Sequence, residues 1–449
     1  MLWLSGVLVI LAWGVGAFGS PYPWAYFPLL IASAALGIVG LWLGESKSAP
    51  GARLAAGFLL VALGVGAQLV PIPLSLLDAL SPNAAPLLNQ QSLQFSLGES
   101  RYHSLSIDSS RSQLGLAFFG AFSLLLFGTA RFLRRESANR LAGALAMLGA
   151  TVATVGIVQR AVFNGKIYGF WELVQGGTPF GPFVNRNHFA GWMLMGIPVV
   201  LGYFLALVSR GTRGKTSSLR DLVLWFGTER ASQAMLTGFA ILVMVLSLVL
   251  TLSRSGMIAL SVALLVAGAT VARQPAGAQR SLSAGYLIFV VAAVVSWVGV
   301  GEITARFAQV DVTSINERPA IWADTVRIVR DFWLTGTGLN TYGVSTLFYQ
   351  RSSPGYHLRE AHSDFLQLAA EGGLLLGIPI AIAIVAFVRA VRQRLSEDVG
   401  SIWWIRMGAT TGLIAIALQS VVEFSLQMPG NAAMFAVVAG LAIHDGRRV

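Results

Sequence analysis

The sequence predicts an all-α, polytopic membrane protein with about twelve transmembrane helices, and three observations carry that prediction. Only 11% of the 449 residues are charged while 55% are hydrophobic, and the mean hydropathy is +0.69. A soluble globular domain carries roughly 25% charged residues, because water must solvate its surface. Apolar runs close to the ~20 residues needed to cross a bilayer recur along the whole chain. The excess of positive charge between those runs also falls in alternate loops.

In order, the runs are 2–19, 24–44, 54–70, 112–130, 141–159, 187–208, 233–252, 256–272, 282–301, 372–388, 407–423 and 430–443. The first has no basic segment before it, and Ala17-Phe18-Gly19 is a poor cleavage site, so it reads as a span rather than a leader. Segment 235–272 contains a single charge, Arg254, within Ser253-Arg254-Ser255-Gly256. Its length fits two spans joined by a minimal turn, which places Arg254 at a membrane surface. Twelve spans return both termini to one side. With that side cytoplasmic, its loops carry +12 and the opposite loops −1 of the total +11, the expected positive-inside distribution. Arg131, Arg134, Arg135 and Arg140 form one cytoplasmic cluster; Arg389, Arg392 and Arg394 form another. The chain thus divides into N-terminal helices with their loops (1–180), central helices (181–301), a long helical outer loop between spans nine and ten (302–371) and C-terminal helices (372–449).

Three outward segments, 71–111, 160–186 and 302–371, exceed the ~15 residues of an ordinary connector. The longest carries helix signals. Pro319 suits a first helical position, and Arg318 before it is pushed away from α geometry. Beyond it, Trp322, Thr325, Val326, Val329 and Trp333 fall on one stripe, with Asp324, Arg327 and Asp331 elsewhere. That pattern predicts an amphipathic helix lying in the headgroup region and ending at Gly336-Thr337-Gly338. A second helix, at about 361–371, begins near His362 and feeds the tenth span through Gly372-Gly373.

Composition also excludes. Without cysteine there is no disulfide, thiolate metal site or cysteine nucleophile. The positive charge is topological, since no basic cluster sits on a soluble domain; nucleic acid is not an expected partner. The first outer turn, Ser20-Pro21-Tyr22-Pro23, has no carboxylate, and no paired acidic metal site stands out, so no metal or other cofactor is expected. The rival reading for so many spans is a transporter or a flippase of lipid-linked sugars. Transporters place ionisable residues near the bilayer midplane, and here the span centres are almost free of charge.

Several motifs, in this order, resemble the O-antigen ligase and O-antigen polymerase superfamily. They are Phe183-Val184-Asn185-Arg186-Asn187-His188-Phe189-Ala190, Thr251-Leu252-Ser253-Arg254-Ser255-Gly256, Arg318-Pro319-Ala320-Ile321-Trp322, Gly336-Thr337-Gly338-Leu339-Asn340, and Ala361-His362-Ser363-Asp364-Phe365-Leu366-Gln367 with Glu371-Gly372-Gly373. The resemblance covers about residues 180–376. It implies a metal-independent, inverting glycosyltransferase of the bacterial inner membrane whose active site faces the periplasm, with 302–371 as the catalytic loop. The implied donor is a glycan on undecaprenyl pyrophosphate. The implied acceptor is another lipid-linked glycan or the lipid A core.

That chemistry needs fixed cations for the leaving diphosphate and a base for the acceptor hydroxyl. Arginine suits the first task, because its planar fork binds phosphate oxygens bidentately. Arg254, isolated between two apolar runs, is the leading candidate; the plainer alternative is a snorkelling turn residue. Arg318 is next, with a solvated loop residue or a partner for Asp324 as its alternative. Arg186 opens a span, where a headgroup anchor is equally expected. Among the five histidines, His362 is the expected base, since an unperturbed imidazole titrates near neutrality. His188 reads as a polar lid on its helix. Asp364 is not an obvious orienter for His362, because positions two apart on a helix point away from each other.

Overall fold

The computed structural model describes residues 2–44, 51–173, 177–211, 227–272, 312–352, 355–398 and 400–445. Its first part contains α1 (Leu2–Gly16), α2 (Pro23–Leu43), α3 (Ala52–Leu69), the short α4 (Leu74–Leu80), α5 (Ala84–Gln91) and α6 (Leu93–Ser96), α7 (Ser109–Phe132) and α8 (Arg135–Ala161). The central part contains α9 (Arg186–Gly211), α10 (Glu229–Leu250) and α11 (Arg254–Ala272). Then follow α12 (Val312–Asp331), α13 (Tyr342–Tyr349), α14 (Asp364–Glu397), α15 (Ser401–Gln419) and α16 (Pro429–Ile443). Two antiparallel pairs of two-residue strands, Ile72–Pro73 with Tyr102–His103 and Lys166–Ile167 with Trp171–Glu172, punctuate the loops.

Nine of the described helices are long and apolar enough to cross a membrane: α2, α3, α7 to α11, α14 and α15. The apolar α1 and α16 are shorter, at 15 residues each. The expected span 282–301 lies outside the described residues. The expected span 407–423 starts too late and ends too late, because the helix is Ser401–Gln419. The helix therefore takes in Arg406, just before the expected start. Folding buries it completely against Asp398 (Nε to Oδ2, 2.5 Å) and the carbonyls of Ala442 and His444. A paired, hydrogen-bonded guanidinium is tolerated where an isolated one is not.

The bundle is built around α9, whose Trp192, Met193, Leu194, Met195 and Ile197 are all fully buried. Small residues set the helix spacing, as expected where lipid supplies no hydrophobic drive between helices. A Cβ on Gly37 would lie 2.4 Å from the backbone carbon of Leu124, and one on Gly40 would lie 2.8 Å from the Gly128 oxygen. Residues 37 and 40 therefore meet 124 and 128, so α2 and α7 run parallel and begin at the same end. The Tyr168 hydroxyl donates to the Gly16 carbonyl at 2.9 Å, which brings segment 160–173 to that end as well.

A second apolar core caps the same end. Leu77, Leu87 and Leu88 from the first long loop pack with Ile328, Phe332 and Tyr342 from the last. Two expectations for the 302–371 loop are corrected here; its residues 302–311 lie outside the described ones. α12 begins at Val312 rather than at Pro319, which sits inside the helix. Its inward stripe is Ile321, Thr325, Ile328 and Phe332, whereas Val326 and Trp333 are exposed. Asp324, assigned to the polar side, is buried. It pairs with Arg327 and accepts from the Ser352 backbone (2.9 Å), the Ser352 hydroxyl (2.7 Å) and the Arg351 backbone (3.0 Å). Four local donors make its burial affordable, which hydrophobic periodicity alone does not register.

Candidate functional site

Three elements converge at the capped end of the bundle: the first turn of α9, the lead into α14, and the 420–428 turn between α15 and α16. Glu423, on that turn, is almost fully buried. Its Oε1 accepts from Arg318 at 2.5 Å and from the Asn187 side chain at 2.8 Å. Burial raises its carboxyl above the usual range, while Arg318, Asn187 and the charge of Arg186 oppose the shift. Next to it, the Phe424 ring meets His188 edge-to-face at 4.6 Å and His362 at 4.9 Å. One aromatic residue thus separates the two histidines.

His362 lies two residues before α14. Ser363 caps that helix, its hydroxyl accepting from the Leu366 backbone at 3.3 Å. His362 itself has φ +52, a left-handed conformation that a non-glycine residue rarely adopts. Leu252 and Asn340 share this feature with φ +57 and +65, so three of the motif segments each hold one strained residue. Such outliers, costing about 1–3 kcal/mol each, persist where the surroundings over-determine them and gather at functional sites. Burial, with the nearby Arg318 cation second, lowers the His362 pKa to about 4. The ring is therefore neutral at pH 7 and able to accept a proton.

Orphaned atoms mark the same place. The buried His188 Nε2, His362 Nδ1 and Glu423 Oε2 have no hydrogen-bond partner among the described residues. Most buried polar atoms are satisfied, so three orphans around one phenylalanine are an exception that asks for a reason.

Of the residues singled out from sequence, the fold brings Arg318, His362 and His188 together. Arg186 opens α9 and acts electrostatically on Glu423. Arg254 opens α11, half-buried, at the adjoining edge: two residues on, a Cβ on Gly256 would lie 3.0 Å from the Ala190 Cβ in α9. Arg318 pairs with Glu423, so the alternative of an Asp324 partner is overturned; Asp324 is taken by Arg327. Asp364 turns from His362 to the 420–428 turn, accepting from the Ser420 hydroxyl at 2.7 Å, the Leu426 backbone at 3.3 Å and the Gln427 side chain at 3.3 Å.

Sequence reading missed Glu423 and Phe424. The available signal was that Glu423 is the sole acidic residue between Asp398 and Asp445. Its partner Arg318 lies 105 residues away, beyond the reach of any local pattern. Beside this cluster lies a cavity of about 350 Å³ whose walls include Phe58, Phe118, Phe119, Phe122, Glu371 and Gln427. It joins the site through the Gln427–Asp364 hydrogen bond.

Residues 239–381 match the family model described as O-antigen ligase. Over those residues the chain is similar to an O-antigen ligase domain. That span takes in Arg254, Arg318 and His362, and it supports the expected resemblance to the O-antigen ligase superfamily. Arg186, His188 and Glu423 lie outside the matched residues and reach the site through the fold. No curated protein matches the chain.

Proposed function

We propose that this O-antigen ligase-like membrane protein is an inverting, metal-independent glycosyltransferase. It moves a glycan from undecaprenyl pyrophosphate to a sugar hydroxyl at the periplasmic face of the bacterial inner membrane. The observation that carries this reading is that a neutral, strained His362 and a partly exposed Arg318, close enough to act on each other's charge, lie at one end of the bundle within the matched segment.

His362 accepts the proton of the acceptor hydroxyl as that oxygen attacks the anomeric carbon. Arg318, Arg254 and Arg186 receive the departing diphosphate, whose charge they meet with fixed guanidinium groups. The phenylalanine-lined cavity is about 350 Å³, at the small end of ligand sites, and suits a stretch of lipid chain. Among the described residues, no group of three His, Cys, Asp or Glu could hold a metal ion. Solvated cations at one end of the bundle favour catalysis at a membrane surface over transport through it.

Reconstitution with a lipid-linked oligosaccharide tests the reading. Transfer should survive EDTA. A ladder of products identifies a polymerase and a single capped product a ligase. No transfer to either a lipid-linked glycan or a lipid A core would sink the proposal, and rescue by Mg²⁺ or Mn²⁺ after EDTA would sink its metal independence.

A further inference from the structure

We infer that Glu423 is a positioning residue that sets how tightly the site holds a diphosphate, by fixing the Arg318 guanidinium and offsetting its charge. The inference rests on the reading above that Arg318 meets the diphosphate. It adds a residue outside the matched segment, and it gives that residue a defined sign of effect.

The geometry singles out Glu423. One oxygen holds two elements at once, Arg318 of α12 at 2.5 Å and Asn187 of α9 at 2.8 Å, while its other oxygen is buried without a partner among the described residues. The Arg318 side chain keeps 30% of its surface exposed and the Glu423 side chain only 2%. The cation thus remains open to a ligand while the anion sits behind it. An anion approaching Arg318 meets a guanidinium already half-neutralised and a carboxylate that repels it. At short range in a partly desolvated site, such a like-charge term is large enough to matter.

Removing the Glu423 charge should therefore tighten diphosphate binding, whereas removing a merely structural clamp should loosen it. A transferase gains from the weaker grip. A leaving group held as tightly after bond cleavage as during it would block the next turnover.

The test is binding of inorganic pyrophosphate to the purified full-length protein in nanodiscs, at constant pH and ionic strength. Glu423→Gln keeps a carbonyl oxygen for Arg318 and Asn187 but loses the charge. It should bind pyrophosphate tighter by on the order of tenfold. The gain should vanish in the Glu423→Gln/Arg318→Ala double variant. Unchanged or weaker binding in Glu423→Gln would overturn the inference. If that variant does not accumulate, Glu423→Asp serves instead: it draws the carboxylate back by one methylene and should tighten binding by a smaller factor, with no change or loosening counting against. Arg318→Ala alone separates the two levels. If it leaves pyrophosphate binding untouched, the assignment of Arg318 fails. If it weakens binding while Glu423→Gln does not strengthen it, only the role of Glu423 fails.

Discussion

Two buried glutamates in this protein sit at the same end of the bundle and have opposite surroundings. Glu371, on α14, has both carboxylate oxygens satisfied. Its Oε2 accepts from the Asn340 backbone at 2.8 Å, and its Oε1 from the Tyr342 backbone at 3.1 Å and the Gln367 side chain at 3.2 Å. Its carbonyl accepts from Gly338 and Gln68. Glu423 holds Arg318 and Asn187 with one oxygen and leaves the other orphaned, next to two histidines that are also incompletely bonded. A fully satisfied polar network rigidifies; a partly satisfied one keeps valence for a ligand. The Glu371 centre is fully bonded, and the Glu423 centre keeps unmet hydrogen-bonding capacity.

The Gly336-Thr337-Gly338-Leu339-Asn340 motif belongs to the first kind. Gly373 has φ +52 and ψ −153 and breaks α14, which leaves backbone groups to satisfy. The motif and the residues just before it supply partners: Thr337 and Gly338 amides donate to Ala370 and Glu371, while Leu374 and Leu375 donate back to Trp333 and Leu334. A Cβ on Gly336 would lie 2.1 Å from the Glu371 oxygen, so only glycine fits.

The comparison can be broken by substitution, and the largest effect is expected at the closed centre. Glu371→Ala strands two backbone amides and a glutamine in the interior, at about 1–3 kcal/mol for each unmet group. The protein should fail to accumulate in the membrane, as read by quantitative immunoblotting. Normal levels of folded Glu371→Ala would show that the Glu371 network is not what holds α14 to the cap.

At the open centre the fold should survive and the activity should not. His362→Ala should reach the membrane at normal levels, bind the lipid-linked donor, and lose about 10²–10⁴ in single-turnover transfer, the usual worth of a general base. Arg254→Ala should instead weaken donor binding, and Arg254→Lys should recover only part of it. Near-normal turnover in His362→Ala would remove it as the base and make His188 the next candidate.

The smallest effect is a displaced pH profile. Burial and the Arg318 cation hold His362 at a pKa of about 4, so the acid limb of kcat/KM should lie near that pH. Arg318→Gln removes a positive charge, which favours the imidazolium. The limb should then move up, toward the ordinary value near 6.5. Glu360, pushed up to about 7 by burial, is the competing group two residues away. A limb near 7 that disappears in Glu360→Gln would transfer the base to Glu360.

Much of this was legible in one dimension. Low charge and repeated apolar runs determine a helical membrane bundle, because hydrocarbon tolerates only backbones that satisfy their own hydrogen bonds. The same logic isolates Arg254, and the motif order singles out Arg318 and His362. The tertiary structure alone decided which polar residues are paired. Arg406 is buried and paired inside a helix that starts earlier than the expected span, and Asp324, expected off the apolar stripe, is buried with its own donors. Arg318 turns to Glu423 rather than to its near neighbour. Pairing depends on distance in space, and the 105-residue separation of 318 and 423, which takes in three further helices, imposes no periodicity a sequence could display. Burial of a charge is a property of its neighbours, so composition determined the bundle and packing determined the site.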